Sequence, residues 1–563
     1  MTPNTPKFTL DYLENTYIDL PSLENKYKKD HPFDYNLFSF SKSQFYNPIL
    51  KVFFPLKDDH FNQITLKHKY VMKDLETVVN TDSNEELKRN VFIKCSPLVN
   101  PLKFLIGKYV DDSSIQYLPN LQENETINKK LLDKNNISYI DNFFSFLCSK
   151  LLHQHNFIHG IDYYGSFLGI QNKFKTNISD DLEFLYSHSY FTDNMNKTFD
   201  IENLQYQNIF SYGSRANKDK LVFSDEIVHN VSAHSLPEIT FDEINTENTG
   251  QTVYELNKPH EEQEDTSDDE SSSDDSEVVN SDDDDEESDD EGHEEESGDE
   301  TDDSDESSES ETPEENTYAY IPNYPTQSIC LEKCDGTFDQ LLENELVNEE
   351  NGAAYLMQII MTLLVLQKAY WFTHNDLHTN NIMYIETDIE YIYYQYNEKI
   401  YKIPTFGKIF KLIDFGRAIY KFENHVFCSD SFAPGDDAAT QYNFEPYYNK
   451  SKPLIEPNMS FDLCRLGCSI YDFMIEIDDD KSKFNTFEKT IDRWCTDDYG
   501  KNVLYKKNGE ERYPDFKLYK MIARSVHNHL PQDQLNDPYF SQFLCSTTTE
   551  PTINIDSIMP YFY

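Results

Sequence analysis

The sequence predicts an α+β fold, strand-rich in its first part and mainly helical in its second. Three observations carry this expectation. Asn90–Cys95 (NVFIKC) and Thr317–Glu332 (TYAYIPNYPTQSICLE) are β-branched and aromatic runs that read as strands. Ser138–His153 (SYIDNFFSFLCSKLLH) and Ala353–Phe372 place apolar residues at the helical period. Residues 261–315 hold 32 Asp or Glu and no Lys or Arg, so the strand-rich part is split by a tract that cannot form a core.

The 563 residues, with 39 Tyr and 39 Phe, suffice for a full core plus extensions. The formal charge of −54 is concentrated in the acidic tract; without it −22 remains, which argues against direct nucleic-acid binding through a basic face. The nine Cys include no C-x-x-C pair, and Cys464 and Cys468 lie one helical turn apart, where core packing is favoured over metal. This usage points to a reduced, intracellular and cytoplasmic setting. The first residues, MTPNTPKFTLDYLENTY, carry no basic segment followed by an apolar run, so no signal peptide is expected. Leu356–Phe372, broken by Gln358, Gln367 and Lys368, reads as an amphipathic or buried helix, too short and too polar for a membrane span.

In order along the chain, residues 1–35 form a polar extension with Pro3, Pro6 and Pro21. Residues 36–171 hold the first strand-rich portion. Within it, short apolar runs such as Ile49–Phe54 read as strands of a small sheet or an added cap, and NVFIKC is a strand carrying Lys94. Residues 172–259 are an insertion of mixed character, and 260–316 are the acidic tract, expected to be disordered. Its serines precede acids, as at Ser267 and Ser281, a context that acidophilic kinases accept. Residues 317–334 return to strands and lead into the connector KCDGTF; 335–563 are mainly helical.

The chemistry centres on Thr373–Asn381, THNDLHTNN, and Leu412–Gly416, LIDFG. His374, Asp376 and Asn381 have the spacing H-x-D-x-x-x-x-N, and Asp414, Phe415 and Gly416 supply D-F-G. On these motifs, and on SFDLCRLG at Ser460–Gly467, the chain resembles the protein-kinase superfamily. The wording THNDLHTNNIM and KIFKLIDFGRAIY is most similar to kinase-like proteins of large DNA viruses, a resemblance that would place the protein in a host cell or virion.

The resemblance implies a two-lobed fold with a small β-rich N-lobe and a mainly helical C-lobe. The acidic tract would then be a long insertion in the N-lobe, and KCDGTF the hinge between lobes. It implies ATP and Mg²⁺, with phosphate transferred to Ser or Thr hydroxyls of a protein substrate. Asp376 would take the hydroxyl proton, Asn381 and Asp414 would hold Mg²⁺, and Lys94 would contact the α- and β-phosphates. Asp462 would bond the backbone around His374, and Gly467 would permit close packing. His378 stands where many Ser/Thr kinases have Lys; if it supplies positive charge, activity should fall between about pH 6 and 8.

Some parts depart from the pattern. The first glycine of the chain is Gly107, so no Gly-rich loop precedes Lys94. The helix that should offer Glu to Lys94 has Phe146 near that place, and the nearest acid upstream is Asp141. The stretch between Asn381 and Asp414 is long and reads as two lengthened antiparallel strands turning near Asn397. The candidate activation segment, Arg417–Pro457, contains Ser429, Ser431, Thr440 and Tyr442 as modification candidates and ends in Glu456-Pro457 without a clean A-P-E. Other readings therefore stand beside the kinase: a pseudokinase scaffold, a small-molecule phosphotransferase, and a module whose acidic tract binds basic proteins. No membrane partner is expected.

Overall fold

The long aromatic strands assemble into one antiparallel sheet. In a computed structural model, which describes residues 10–14, 18–31, 35–110, 112–122, 126–202, 316–475 and 480–563, β1 (Phe40–Gln44), β2 (Val91–Pro97), β3 (Tyr163–Asn177) and β4 (Tyr318–Glu332) pair in the order β1–β3–β4–β2. Asp200–Glu202 adds beside the first residues of β4. The acidic tract through Glu315, and the expected insertion beyond Glu202, lie outside the described residues. The protein is α+β.

In the register, Ile329 of β4 faces Ser166 on one side and Lys94 on the other. Two-residue alternation then puts Phe92 and Lys94 on one face of β2, where both line a cavity. The expected boundary at 171/172 falls inside β3, which runs on to Asn177 before the short helices Leu182–Tyr186 and Ser189–Asn194. Ile49–Phe54 is not a strand. Asn47 caps the nitrogen of Ile49 and Pro48 opens a helix, Pro48–Phe53, so the start signal outweighs the β-branched composition. Within the polar extension, Leu20–Asp30 is a helix that buries Leu20, Leu23 and Tyr27.

Helix α1 (Ile137–His155) packs on the sheet. Asn136 caps its start and Asn156 closes it in the left-handed region, φ 54°. Helix α2 (Glu349–Tyr370) starts with a reciprocal cap between Asn348 and Asn351. With 22 residues it is long and apolar enough to cross a membrane, contrary to the expectation of a short, polar stretch. What assigns it to the core is burial, with 89% of its most apolar window covered by protein. Helices α3 (Phe461–Met474) and α4 (Lys517–Ser525) pack beyond it. A side chain at Gly467 of α3 would meet Trp494 at 2.9 Å, so the close approach there needs glycine.

Strands β5 (Ile382–Glu386) and β8 (Lys408–Leu412) are antiparallel neighbours. Between them stands a separate hairpin of β6 (Tyr391–Tyr396) and β7 (Lys399–Pro404). It turns at Asn397 and Glu398, with φ of 48° and 62°, the double left-handed geometry that matches strand twist. The turn falls where the sequence placed it, but the stretch holds four strands, not two. β6 also pairs in parallel with β9 (Thr552–Asn554).

Candidate functional site

The two polar loops are held together by backbone bonds that need no ligand. Ile413 donates its N–H to the Asn381 carbonyl at 3.1 Å, and Thr373 and Ile419 exchange N–H bonds at 2.9 and 3.0 Å. His374 reaches the Ile413 carbonyl through Nε2 at 2.9 Å. Asp462, near the start of α3, accepts from the backbone nitrogens of His374 and Asn375, each at 2.9 Å. One buried carboxylate thus orders two consecutive amides of the loop. Asn375 is left-handed, φ 64°, and its side chain donates to the Arg417 carbonyl and accepts from the Tyr442 hydroxyl.

At the loop's centre, Asp376 is buried. Its Oδ1 accepts from the Tyr519 hydroxyl at 2.8 Å and lies 3.9 Å from the Arg417 guanidinium. Burial works against its charge, but Arg417, Arg465 and the Tyr519 hydroxyl, joined by His378 once that ring is protonated at low pH, outweigh it and hold the carboxyl at about 2. Asn381 ends a short 3₁₀ turn and uses its amide nitrogen twice, toward the Asp376 carbonyl at 2.9 Å and His378 Nε2 at 3.0 Å. Its side-chain oxygen is left as an acceptor.

On the other side, Lys94 of β2 sits between two carboxylates, 2.8 Å from Asp141 Oδ2 and 2.8 Å from Asp414 Oδ1. Asp141 belongs to α1 and also accepts the Phe415 backbone N–H at 2.9 Å. Burial opposes the Lys94 charge, yet the two acids outweigh it and raise its pKa. For Asp141, burial is the larger effect and Lys94 offsets only part of it, so its pKa is raised. Asp414 is left-handed at φ 60°, a strained conformation for a residue with a side chain. Phe415 fixes the turn by packing against Phe144, His374 and Phe372, with centroids at 4.7, 5.6 and 6.0 Å.

These walls enclose a cavity of about 500 Å³, open mouth included, lined among others by Lys94, Asp141, Leu331, Lys333, Met383 and Asp414. None of its lining residues precedes β2. Among the described residues no group of His, Cys, Asp and Glu is arranged to hold a metal by itself, and the cysteines are free thiols.

His378 departs from expectation. Burial, with help from Arg465 and His374, pushes its pKa down to about 4 against the pull of Asp376 and Asp414, and its Nε2 serves as acceptor for Asn381. The ring is neutral at pH 7 and orients Asn381; it supplies no cation, so the fall in activity expected between pH 6 and 8 has no source in this residue. Activity of a His378→Gln variant, divided by that of the wild type, should stay constant from pH 6 to 8.

Stability is a different matter. Burial pushes His68 and His159 to about 4. Both are neutral when folded but take up a proton below about 6.5 when unfolded, so stability is lost as pH falls from about 6.5 toward 4. By pH 5 each should cost about 2 kcal/mol. Asp430 and Asp437, raised to about 6 mainly by burial, act the other way by about 1 kcal/mol each. Relative to that of the wild type, the urea midpoint of a His159→Gln variant should therefore rise as pH falls from 7.5 to 5.

Arg417, Arg465 and Tyr519 were not legible as site residues. They come from three separate elements, and nothing local in their sequence points at Asp376. The modification candidates Ser429, Ser431 and Tyr442 are buried, whereas Thr440 is exposed.

No family model matches the chain. A protein of Acanthamoeba polyphaga mimivirus named "Putative serine/threonine-protein kinase R301" is 28% identical over 185 residues, covering 29% of this chain and 44% of that protein. The chain therefore matches less than half of that relative's length. The likeness is a distant one to a protein with a kinase name.

Proposed function

We propose that the protein is an ATP- and Mg²⁺-dependent kinase of two-lobed, protein-kinase-like architecture that phosphorylates Ser or Thr hydroxyls of a protein substrate. The observation that carries this reading is Lys94 paired to Asp141 and Asp414 on one wall of a cavity, beside a loop bearing Asp376 and Asn381. The distant mimivirus relative adds support.

Asp376, ionised and fixed, would accept the proton of the hydroxyl. Lys94 would contact phosphate oxygens. Asn381 Oδ1 and the Asp414 carboxylate are hard oxygen donors, a set that fits Mg²⁺ once phosphate oxygens complete the shell; bound there, the ion would neutralise phosphate charge. His378 would act through Asn381. The free cysteines fit an intracellular setting, and the acidic tract would be an accessory for basic partners.

A pseudokinase scaffold is the second reading. It is favoured by the cavity's lining, which among the described residues includes none from before β2, where a glycine-rich cover would be sought. Thermal unfolding with and without Mg-ATP separates the two. A rise in midpoint for the wild type, lost in Asp414→Asn, together with labelled phosphate reaching a protein acceptor, is expected. No rise and no transfer would leave the scaffold.

A further inference from the structure

The Tyr519 hydroxyl is bonded on both sides. Arg465 of α3 donates Nε–H to its oxygen at 2.9 Å. Arginine can only donate, so the hydroxyl's own proton is free for one acceptor, Asp376 Oδ1 at 2.8 Å. The direction of the chain is therefore fixed: Arg465 to Tyr519 to Asp376. Tyr519 itself is buried, stacked on Phe516 at 5.2 Å and packed against Phe461, with the Arg465 guanidinium 5.1 Å and that of Arg417 5.5 Å from its ring centre. The ring has little freedom to leave. Tyr519 donates to Oδ1 of Asp376 and the Arg417 guanidinium faces the same oxygen at 3.9 Å, while Oδ2 takes no hydrogen bond from a described residue.

We infer that Tyr519 is a positioning residue for phosphoryl transfer: by holding Oδ1 it locks the rotamer of Asp376 and leaves Oδ2 to receive the acceptor's proton. The inference rests on the kinase reading above and adds to it a residue 143 positions away from Asp376. In the step concerned, the acceptor oxygen bonds to the γ-phosphorus, the bond from that phosphorus to the bridging β-phosphate oxygen breaks, ADP leaves, and the hydroxyl proton passes to Oδ2. Tyr519 keeps its own proton throughout. Its work is to prevent Asp376 from rotating, so the effect belongs in turnover and not in nucleotide affinity.

The test uses the full chain, Mg-ATP and dephosphorylated casein as a generic hydroxyl acceptor. Tyr519→Phe removes one oxygen and retains the stacking. It should lower kcat about tenfold and lower the thermal midpoint by a few degrees, because Arg465 and Asp376 each lose a buried partner, with the KM for ATP nearly unchanged. Arg465→Gln, which frees the tyrosine hydroxyl to turn, should lower kcat in the same direction. Unchanged kcat in Tyr519→Phe would overturn the role. So would a rise in kcat, which would mean that the hydroxyl obstructs the acceptor, or a joint change in midpoint and KM, which would mean a structural brace. A wild type whose midpoint rises with Mg-ATP but which transfers no phosphate would sink the transfer reading itself, and Tyr519's role with it.

Discussion

Asp376→Asn should reduce phosphate transfer at least about a thousandfold, while leaving Mg-ATP able to raise the thermal midpoint. The amide cannot take the acceptor's proton, yet it is nearly the same size and keeps an oxygen for Tyr519. The substitution has a second effect. Asp376 is the anion toward which Arg417 and Arg465 are turned, and removing its charge leaves two largely buried cations less compensated. The midpoint should therefore drop, and the drop should be smaller in an Asp376→Asn/Arg417→Gln double variant. Radiolabel transfer and differential scanning on the same preparations read both effects. Transfer within tenfold of wild type would remove Asp376 from the chemistry.

Lys94→Met is the second large effect, and it is one of stability as much as of activity. The lysine is the cation shared by Asp141 and Asp414, all within 2.8 Å contacts. Replacing it by an apolar side chain leaves two carboxylates facing each other in a buried site. Breaking such a cluster by removing one partner costs about 3–5 kcal/mol. One of the acids should then take up a proton in the folded state, raising its folded pKa further above its unfolded value. The stability deficit should grow as pH rises, being larger at pH 8 than at pH 6. Urea titrations at both pH values check this. A Lys94→Met/Asp141→Leu double variant should recover part of the loss. Mg-ATP should no longer shift the midpoint of either. A deficit independent of pH would mean that the two acids are not coupled through Lys94.

Much of the site was legible because its parts are local. The order of His374, Asp376, Asn381 and Asp414 lies in two short stretches, and the fold brings these two stretches together. Lys94 was legible because a β-branched run ending in lysine reads as a strand. Its partner was harder: on a helix buried nearly all round, Asp141 and Phe146 cannot be phased from sequence, and only the packing of α1 against β2 selects the aspartate. His378 was misread because charge depends on burial, which a single residue type does not reveal. Tyr519 and Arg465 are long-range partners with no local signal. In the fold, Asn47-Pro48 did announce a helix, and the β-branched residues after it drew the reading toward a strand. Asn397 marked its turn, but nothing in the aromatic run around it told one long hairpin from one hairpin nested within another.

The nested hairpin also bears on how the chain can fold. Its strand β6 aligns with β9, roughly 160 residues later, and the Asp556 carboxylate accepts from the amides of Asn397 and Glu398 at its tip. A few residues on, Tyr561 receives the Glu423 amide, donates its own to Ala369, and meets the ring of His155. During synthesis, α2 and the loops beside it therefore leave the ribosome long before the segment that fastens them. The contacts that fasten the hairpin and α2 thus wait for residues 552–561, and they are of the long sequence separation that forms slowly.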